Sequence, residues 1–229
     1  MSQHNDDIRS SVRQHYGKVA RSGGACGCAP GCCGSSANDS LQLGYSLEDI
    51  TVVPEGANMG LGCGNPGAIA ALRPGETVLD LGAGSGYFTF RLARVLSRGR
   101  VIAADTEPEM VRHIHHRAMS EGTSNVEARL IQPADPEVPA EADVVFVCDV
   151  LHHVADRPAW LTKLAGGLKP GARLVLIEFK EGDLPEGPPE AAKIPRARLV
   201  ELVRGAGFVL DSERTDLLPY QVFLVFRKP

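Results

Sequence analysis

Cysteine residues give the first chemical signal in this sequence. Four of the six cysteines stand within eight residues, in the stretch GGACGCAPGCCGSS at 23–36. Thiolates are ligands for soft, thiophilic metals and metalloids, but the spacings C-x-C and C-x3-CC match no standard four-ligand zinc pattern. The stretch is therefore a soft-metal ligand site, a disulfide knot or a flexible tail. Because it is rich in glycine, we expect residues 23–38 to be mobile without a ligand.

The composition is that of an ordinary globular protein. The chain has 229 residues, of which 43% are apolar and 23% charged, which suits one α/β domain with additions. A net charge of −4 without a basic block argues against a nucleic-acid partner. No apolar run approaches the roughly 20 residues that cross a bilayer, and the polar N-terminus is not a secretory signal. We expect a cytoplasmic protein without a membrane partner, whose reduced cysteines bind metal or act chemically rather than form disulfides.

Strand and helix patterns alternate from residue 76 onward. The predicted strands cover 77–81, 100–105, 126–131, 142–151, 173–179 and 220–228, and the predicted helices cover 86–96, 108–122, 157–168 and 197–208. This alternation predicts a mainly parallel sheet with helices on both faces. The closing strand is a candidate for an antiparallel strand of a mixed sheet.

A glycine-rich turn joins the first predicted strand to the first predicted helix, in the stretch VLDLGAGSGYF at 78–88. Gly82 and Gly84 allow the backbone to approach a ligand closely, and the helix N-terminus behind them offers free N–H groups. Asp80 lies inside the strand end, where an acid suits a positively charged amino group. Asp105 ends the next strand, where its carboxylate can accept both hydroxyls of a ribose. An amino-acid head group joined to a nucleoside describes S-adenosylmethionine.

Residues 76–180 resemble class I S-adenosylmethionine-dependent methyltransferases. The matching stretches are VLDLGAGSGYFT, VIAADTEPEMV, VCDVLHHVADRPAWL and LKPGARLVLIEF. The resemblance implies an α/β fold with a Rossmann-like, seven-stranded, doubly wound sheet, its last strand antiparallel, and an N-terminal cap. It assigns the methionine part of the cofactor to Asp80, Gly82, Ala83, Gly84 and Gly86, and the ribose and adenine to Asp105, Thr106 and Gln132.

The front half of the chain is similar to arsenite methyltransferases. In that family a GCG cysteine before the core domain binds trivalent arsenic, and Cys63 stands in such a motif. Cys32 and Cys33 stand where the family carries a cysteine cluster. The resemblance implies that Cys32, Cys33 and Cys63 bind the arsenic as thiolates, with a cellular thiol reductant as a partner. It divides the chain into a flexible Cys/Gly-rich segment (1–40), a cap and substrate segment (41–67) and the cofactor-binding domain (68–229).

The back half departs from the arsenite methyltransferase pattern. The family's second core thiolate follows the fourth strand, but here Cys148 is displaced by one residue and Asp149 holds the ligand position. A shift of one residue on a strand turns the side chain to the other face. Cys148 is therefore either a ligand or a core residue, and Asp149 becomes a candidate catalytic residue. No cysteine follows residue 148, and this half resembles generic small-molecule methyltransferases.

Three functions are compatible with these features. The first is an enzyme that methylates trivalent arsenic bound by thiolates. The second is a methyltransferase for a small organic acceptor of the quinone, phenol or amine type, in which Asp149 or His153 orients or deprotonates the acceptor. The third is a non-catalytic module that binds metalloids. The first is our main hypothesis, because both the GCG motif and the cysteine cluster accompany the cofactor motif.

Overall fold

The computed structural model describes residues 72–96, 98–185, 187–214 and 218–229. Within them lie seven strands, four α-helices and two short 3₁₀ turns, Leu151–His153 and Glu190–Ala192. In chain order the strands and α-helices are β1 (Thr77–Leu81), α1 (Tyr87–Val95), β2 (Arg100–Asp105), α2 (Pro108–Glu121), β3 (Val126–Leu130), β4 (Val144–Cys148), α3 (Arg157–Gly167), β5 (Arg173–Phe179), α4 (Arg196–Gly205), β6 (Val209–Arg214) and β7 (Gln221–Arg227). The predicted segments 1–40 and 41–67 lie outside the described residues.

The strands form one mixed sheet in the order β3-β2-β1-β4-β5-β7-β6. Strands β1 to β5 pair in parallel, whereas β7 runs antiparallel to both β5 and β6. The chain crosses from β1 outward through β2 and β3, and then returns to the other side of β1 with β4. This is the seven-stranded, doubly wound sheet with a reversed last strand that the family resemblance implied.

Two apolar layers cover the sheet. On one face Val78, Val101 and Val144 belong to the cluster that holds Phe88 and Leu92 of α1. On the other face the neighbouring strand residues belong to a cluster that includes Trp160 of α3. Because successive strand residues point to opposite faces and both faces are covered, the central strands are continuous apolar runs rather than alternating ones.

Two parts of the sheet differ from the sequence prediction. The predicted strand over 142–151 covers only Val144–Cys148, because the chain turns at Asp149, which has a left-handed φ of 53°. Strand β6 was not predicted from its residues, VLDSER. It is the edge strand, and most of its side chains are exposed, so it carries little of the apolar signal that marks the central strands. No helix in the described ranges is long and apolar enough to span a membrane.

Phe146 tests the packing of the central layer. Its side chain is fully buried in β4, with the ring of Phe88 5.4 Å away. We expect Phe146→Ala to lower the free energy of unfolding by about 3–5 kcal/mol, because it removes apolar contacts and leaves a cavity. Met119→Ala is the control, since that side chain is 72% exposed, and it should change stability by less than about 0.5 kcal/mol. Urea unfolding measures both, and equal effects would contradict this packing.

Candidate active site

The carboxyl ends of β1, β2 and β4 meet at one edge of the sheet. Strand order reverses between β1 and β4, which are neighbours in the sheet. From β1 the sheet continues through β2 and β3 on one side, and from β4 it continues through β5 on the other. In open α/β sheets, ligands bind outside the carboxyl ends of the strands at such a point. Asp80 lies near the end of β1, Asp105 ends β2, and Asp149 directly follows β4. The topology therefore brings the three predicted acidic residues to the same edge.

Asp80 is a buried carboxylate at this edge. Only 3% of the residue is exposed, and the Thr89 hydroxyl of α1 donates a hydrogen bond of 2.6 Å to its Oδ2. Burial raises the pKa of Asp80 to about 7; the Thr89 hydrogen bond opposes the shift and the nearby Asp105 charge adds to it. A carboxylate in this state is stabilised by a cation that approaches it. It fits the amino group of an amino-acid ligand.

The glycine-rich turn is fixed against β2. The N–H groups of Gly82 and Ala83 both donate to the carbonyl of Ala104, at 2.8 and 3.1 Å. Gly82, Gly84 and Gly86 all have positive φ angles, which disfavour a side chain. The turn is therefore held in one conformation by its own backbone and by the neighbouring strand.

The three glycines serve different purposes. A Cβ at Gly82 would lie 2.3 Å from Val150 Cγ2, and one at Gly86 would lie 2.8 Å from the Phe90 ring. A Cβ at Gly84 would have no atom within 4 Å. The glycine-rich motif predicted ligand approach at both Gly82 and Gly84, but packing against Val150 already requires glycine at 82. Gly84 is the position where the backbone faces open space.

Asp105 joins the glycine turn to the start of α2. Its Oδ2 accepts the Gly84 N–H at 2.8 Å, and its Oδ1 accepts the Glu107 N–H at 2.9 Å. Burial raises the pKa of Asp105, while hydrogen bonds from the backbone of Glu107, Gly84 and Thr106 oppose the shift. A carboxylate offers about four acceptor positions, so each oxygen can also accept a ribose hydroxyl.

A cavity of about 310 Å³ opens beside Asp105, between the ends of β2 and β3. Its lining includes Thr106 and Gln132, which the resemblance assigned to the adenine. The other lining residues are Glu107, Pro108, Leu130, Ile131 and Pro133. A lining that mixes apolar side chains with the polar groups of Thr106 and Gln132 suits a flat heterocycle. The predicted methionine, ribose and adenine residues are thus arranged in sequence along one edge of the sheet.

Cys148 and Asp149 lie at the end of β4, on the opposite side of β1 from Asp105. Cys148 is partly exposed and packs against the α1-side cluster, with its Sγ 3.9 Å from Asp149 Oδ2. Asp149 donates its backbone N–H to the carbonyl of Ile177 at 2.9 Å, which fixes the turn after β4. The roles of Cys148 as a thiolate ligand and of Asp149 as a catalytic residue remain predictions.

A buried His–Glu pair that was not predicted from the sequence lies next to Asp149. Glu178 of β5 is only 1% exposed. Its carboxylate accepts the His152 backbone N–H at 3.3 Å and forms a hydrogen bond of 2.8 Å with the ring Nδ1. Burial opposes the charged ring, but the hydrogen bond and charge of Glu178, with the charge of Asp149, outweigh it and raise the pKa of His152. The signal in the sequence was the acidic residue inside the apolar run RLVLIEF. His153, the residue that was considered as a base, is exposed.

The loop after β5 encloses a second cavity, of about 570 Å³. Gly187 packs against the Phe179 ring, which lies 6.3 Å from the His152 ring between centroids. The lining consists of Gly182, Asp183, Leu184, Gly187, Pro188, Pro189, Glu190 and Lys193. The cavity is therefore connected to the His152–Glu178 pair only through Gly187 and the Phe179 ring, and neither member of the pair lines it. Among the described residues no group of three or more His, Cys, Asp or Glu side chains is arranged to hold a metal ion.

Residues 72–202 match the family described as "Methyltransferase domain". The chain belongs to the S-adenosylmethionine-dependent methyltransferases. This match confirms the family and the cofactor that the sequence predicted. Three features fit that cofactor: the buried Asp80, the Asp105 carboxylate that accepts two backbone N–H groups, and the cavity at Gln132.

Curated relatives of two kinds are similar to this sequence. An arsenite methyltransferase of Halobacterium salinarum is 35% identical over 186 residues, which are 76% of this chain and 47% of that protein. The ubiquinone/menaquinone biosynthesis C-methyltransferase UbiE of Shewanella frigidimarina is 31% identical over 114 residues, 48% of this chain and 45% of that protein. The chain thus spans about half the length of these relatives.

Solved structures share the fold. A SAM-dependent methyltransferase from Aquifex aeolicus superposes with a TM-score of 0.65 at 24% identity, over 69% of this chain and 85% of that one. The cyclase SpnF superposes with a TM-score of 0.67 at 17% identity, over 95% of each chain. At these identities the superpositions establish the fold alone.

The raised pKa of Asp80 predicts pH-dependent binding of S-adenosylmethionine. Because only the ionised carboxylate attracts the ligand's ammonium group, and the pKa is about 7, affinity should rise with pH through that value. The expected gain is about tenfold between pH 6 and 7.5. Asp80→Asn should bind weakly and with little pH dependence. Calorimetry at several pH values measures both proteins, and parallel pH profiles would contradict the role of Asp80.

The glycine turn predicts a contrast between two variants. Gly82→Ala places a methyl against Val150 in addition to its φ of 72°, so it should lower the melting temperature. Gly84→Ala has only the backbone cost, about 1–2 kcal/mol, but its methyl enters the open space of the site. It should reduce S-adenosylmethionine affinity more than it reduces stability. Thermal unfolding and calorimetry test the pair; an unaltered affinity in Gly84→Ala would contradict ligand approach there.

Proposed function

We propose that this protein transfers the methyl group of S-adenosylmethionine to trivalent arsenic bound by Cys63 and one or both of Cys32 and Cys33. The main support is the alignment with the arsenite methyltransferase, which covers 76% of the chain. That share exceeds the part of the chain from 72 to 229, so the alignment includes residues before 72, among them Cys63. The UbiE alignment covers only 48%. All three cysteines lie outside the described residues.

The described residues would hold the cofactor, which supplies an electrophilic methyl group on a sulfonium. Asp80 binds its amino group, Asp105 accepts the ribose hydroxyls, and Thr106 and Gln132 flank the adenine. In methyl transfer the protein mainly positions the nucleophile in line with the methyl group and excludes water. The buried carboxylate and the fixed glycine turn serve that purpose, because they leave the donor one position at the sheet edge.

Trivalent arsenic bound to thiolates suits this site chemically. It keeps a lone pair, which could take the methyl group without a general base, while the sulfur of the cofactor keeps the electron pair of the broken S–C bond and leaves as a neutral thioether. Soft thiolates are the matching ligands for a soft centre, and they must be reduced to bind it. We therefore propose a cytoplasmic setting with a thiol reductant. Cys148, partly exposed beside Asp149, is a further proposed thiolate at the same edge.

A small organic acceptor is the second candidate, and the His152–Glu178 pair favours it. An O–H acceptor, or the enol of a quinol, must lose a proton during methylation. Since Glu178 bonds His152 Nδ1, the ring presents its other nitrogen, Nε2, as the proton acceptor. The cavity of about 570 Å³ in the loop after β5, beyond the Phe179 ring from this pair, has room for a ring-sized acceptor. A metalloid-binding module without catalysis is the remaining alternative.

The proposal predicts methylated arsenic from an assay with S-adenosylmethionine, arsenite and a thiol reductant. Cys63→Ser should abolish turnover, because it removes one of the thiolates that hold the substrate. The double variant Cys32→Ser/Cys33→Ser should raise the arsenite concentration needed for half-maximal rate. Chromatography coupled to arsenic detection measures the products.

Two controls make this test specific. Cys26→Ser/Cys28→Ser changes the same cysteine-rich stretch at positions outside the proposed ligand set, so its arsenite dependence should stay near that of the wild type. His152→Gln should leave arsenite methylation intact, because the arsenic lone pair needs no base. One outcome would contradict the arsenic proposal. If no methylated arsenic forms, while a panel of quinols or phenols gives a methylated product that His152→Gln abolishes, the acceptor is organic.

A further inference from the structure

Glu107 occupies the N-cap position of α2, but its side chain does not cap the helix. Short polar side chains are preferred at this position because their oxygen reaches a free N–H group of the first turn. Glu107 instead acts through its backbone, whose N–H donates to Asp105 Oδ1 at 2.9 Å. None of the residues that the structure describes forms a hydrogen bond or an ion pair with the Glu107 carboxylate. The helix therefore does not explain why this position carries a carboxylate.

Glu107 also lines the cavity of about 310 Å³ at the ends of β2 and β3, and it is the only charged residue among the described residues that do so. The residue is partly exposed, so its side chain is accessible to a ligand in that cavity. Asp105 is not among the lining residues, and each of its two oxygens already accepts one backbone N–H. Within the described part of the chain, a nucleoside in this cavity therefore meets one carboxylate at the wall, that of Glu107.

The two neighbouring carboxylates make this cavity electronegative. Burial is the main cause that raises the pKa of Asp105, and the charge of Glu107 adds to it, whereas hydrogen bonds from the backbone of Glu107, Gly84 and Thr106 oppose the shift. No Lys, Arg or His stands among the described lining residues. Like charges at short distance disfavour each other's ionised form, and a hydrogen-bond donor or a cation beside them offsets that cost. The cavity therefore favours a ligand part that donates hydrogen bonds and disfavours an anionic one such as phosphate.

We propose that Glu107 is a specificity-determining residue of the cofactor site, whose carboxylate accepts a hydrogen bond from the nucleoside of S-adenosylmethionine. Two kinds of donor in that nucleoside have the same chemistry for this role, the ribose hydroxyls and the adenine amino group. An ionised carboxylate only accepts hydrogen bonds, whereas the Thr106 and Gln132 side chains both donate and accept. Glu107 therefore selects for a donor at the position that it faces, which neither neutral residue does. This role depends on the cofactor, which the family match establishes, and not on the identity of the methyl acceptor.

The test is calorimetric titration of S-adenosylhomocysteine, which has the same nucleoside, into the full-chain wild type and Glu107→Gln. We expect about tenfold weaker binding in the variant, the scale of one hydrogen bond to a charged group. Analogues that each lack one ribose hydroxyl, and the inosine analogue, in which an oxygen replaces the adenine amino group, identify the donor. The analogue without the donor should bind about tenfold more weakly than S-adenosylhomocysteine to the wild type. Its penalty should be much smaller in Glu107→Gln, because the charged acceptor is already absent there.

Glu109→Gln is the matched control, since Glu109 is an acid of the first turn of α2 that pairs with Arg112 and does not line the cavity. It loses the same charge two residues away, so its affinity for S-adenosylhomocysteine should stay near that of the wild type. Glu107→Gln should keep the wild-type melting temperature, because the Glu107 side chain does not cap the helix.

Three outcomes would overturn the proposal. They are equal affinity of wild type and Glu107→Gln for S-adenosylhomocysteine, an equal loss in Glu109→Gln, and analogue penalties that are the same in wild type and Glu107→Gln. No methyl acceptor is present in these titrations, so their results are independent of the arsenic proposal.

Discussion

Burial of the Asp80 carboxylate beneath the glycine turn is the interaction on which the arrangement of the active-site edge depends. The carboxylate is placed by β1, receives the Thr89 hydroxyl from α1 and lies within electrostatic range of Asp105. The turn above it is fixed by the Ala104 carbonyl of β2 and by the Asp105 carboxylate. Three elements therefore meet around one group that burial disfavours in its charged form. An ammonium group offsets that cost, so the fold keeps a position ready for a cationic ligand.

The central strands and the cofactor residues could be predicted from the sequence because their signals are local. Strands at 77–81, 100–105 and 173–179 are continuous apolar runs bounded by turn residues, and the structure has the same bounds. Asp80 and Asp105 were recognisable because each lies at the end of such a run. Family resemblance supplied the count of seven strands, since β6 has a polar, exposed pattern that resembles a loop.

Other features depend on contacts that sequence spacing does not reveal. Gly82 is glycine because Val150 fills the space beside it, and those residues are 68 positions apart. Glu178 meets His152 across 26 residues, in a pair that forms only when β4 and β5 are adjacent. Each of these required the tertiary structure, because a single residue in an apolar run or on a helix face has many ordinary explanations.

Fold alone does not decide the chemistry at this edge, since a cyclase superposes over 95% of the chain and function is carried by the site. The decisive physical element is the pair of carboxylates, and Asp105 is the one that holds the turn and that we propose accepts the ribose hydroxyls. Calorimetric titration of S-adenosylmethionine into wild-type protein and Asp105→Ala, with circular dichroism to establish folding, tests it most directly. We expect one cofactor per chain in the wild type and a loss of affinity of at least about tenfold in the folded variant, the scale of one hydrogen bond to a charged group. Equal affinity in the two proteins, or no binding to the wild type, would contradict the cofactor site described here.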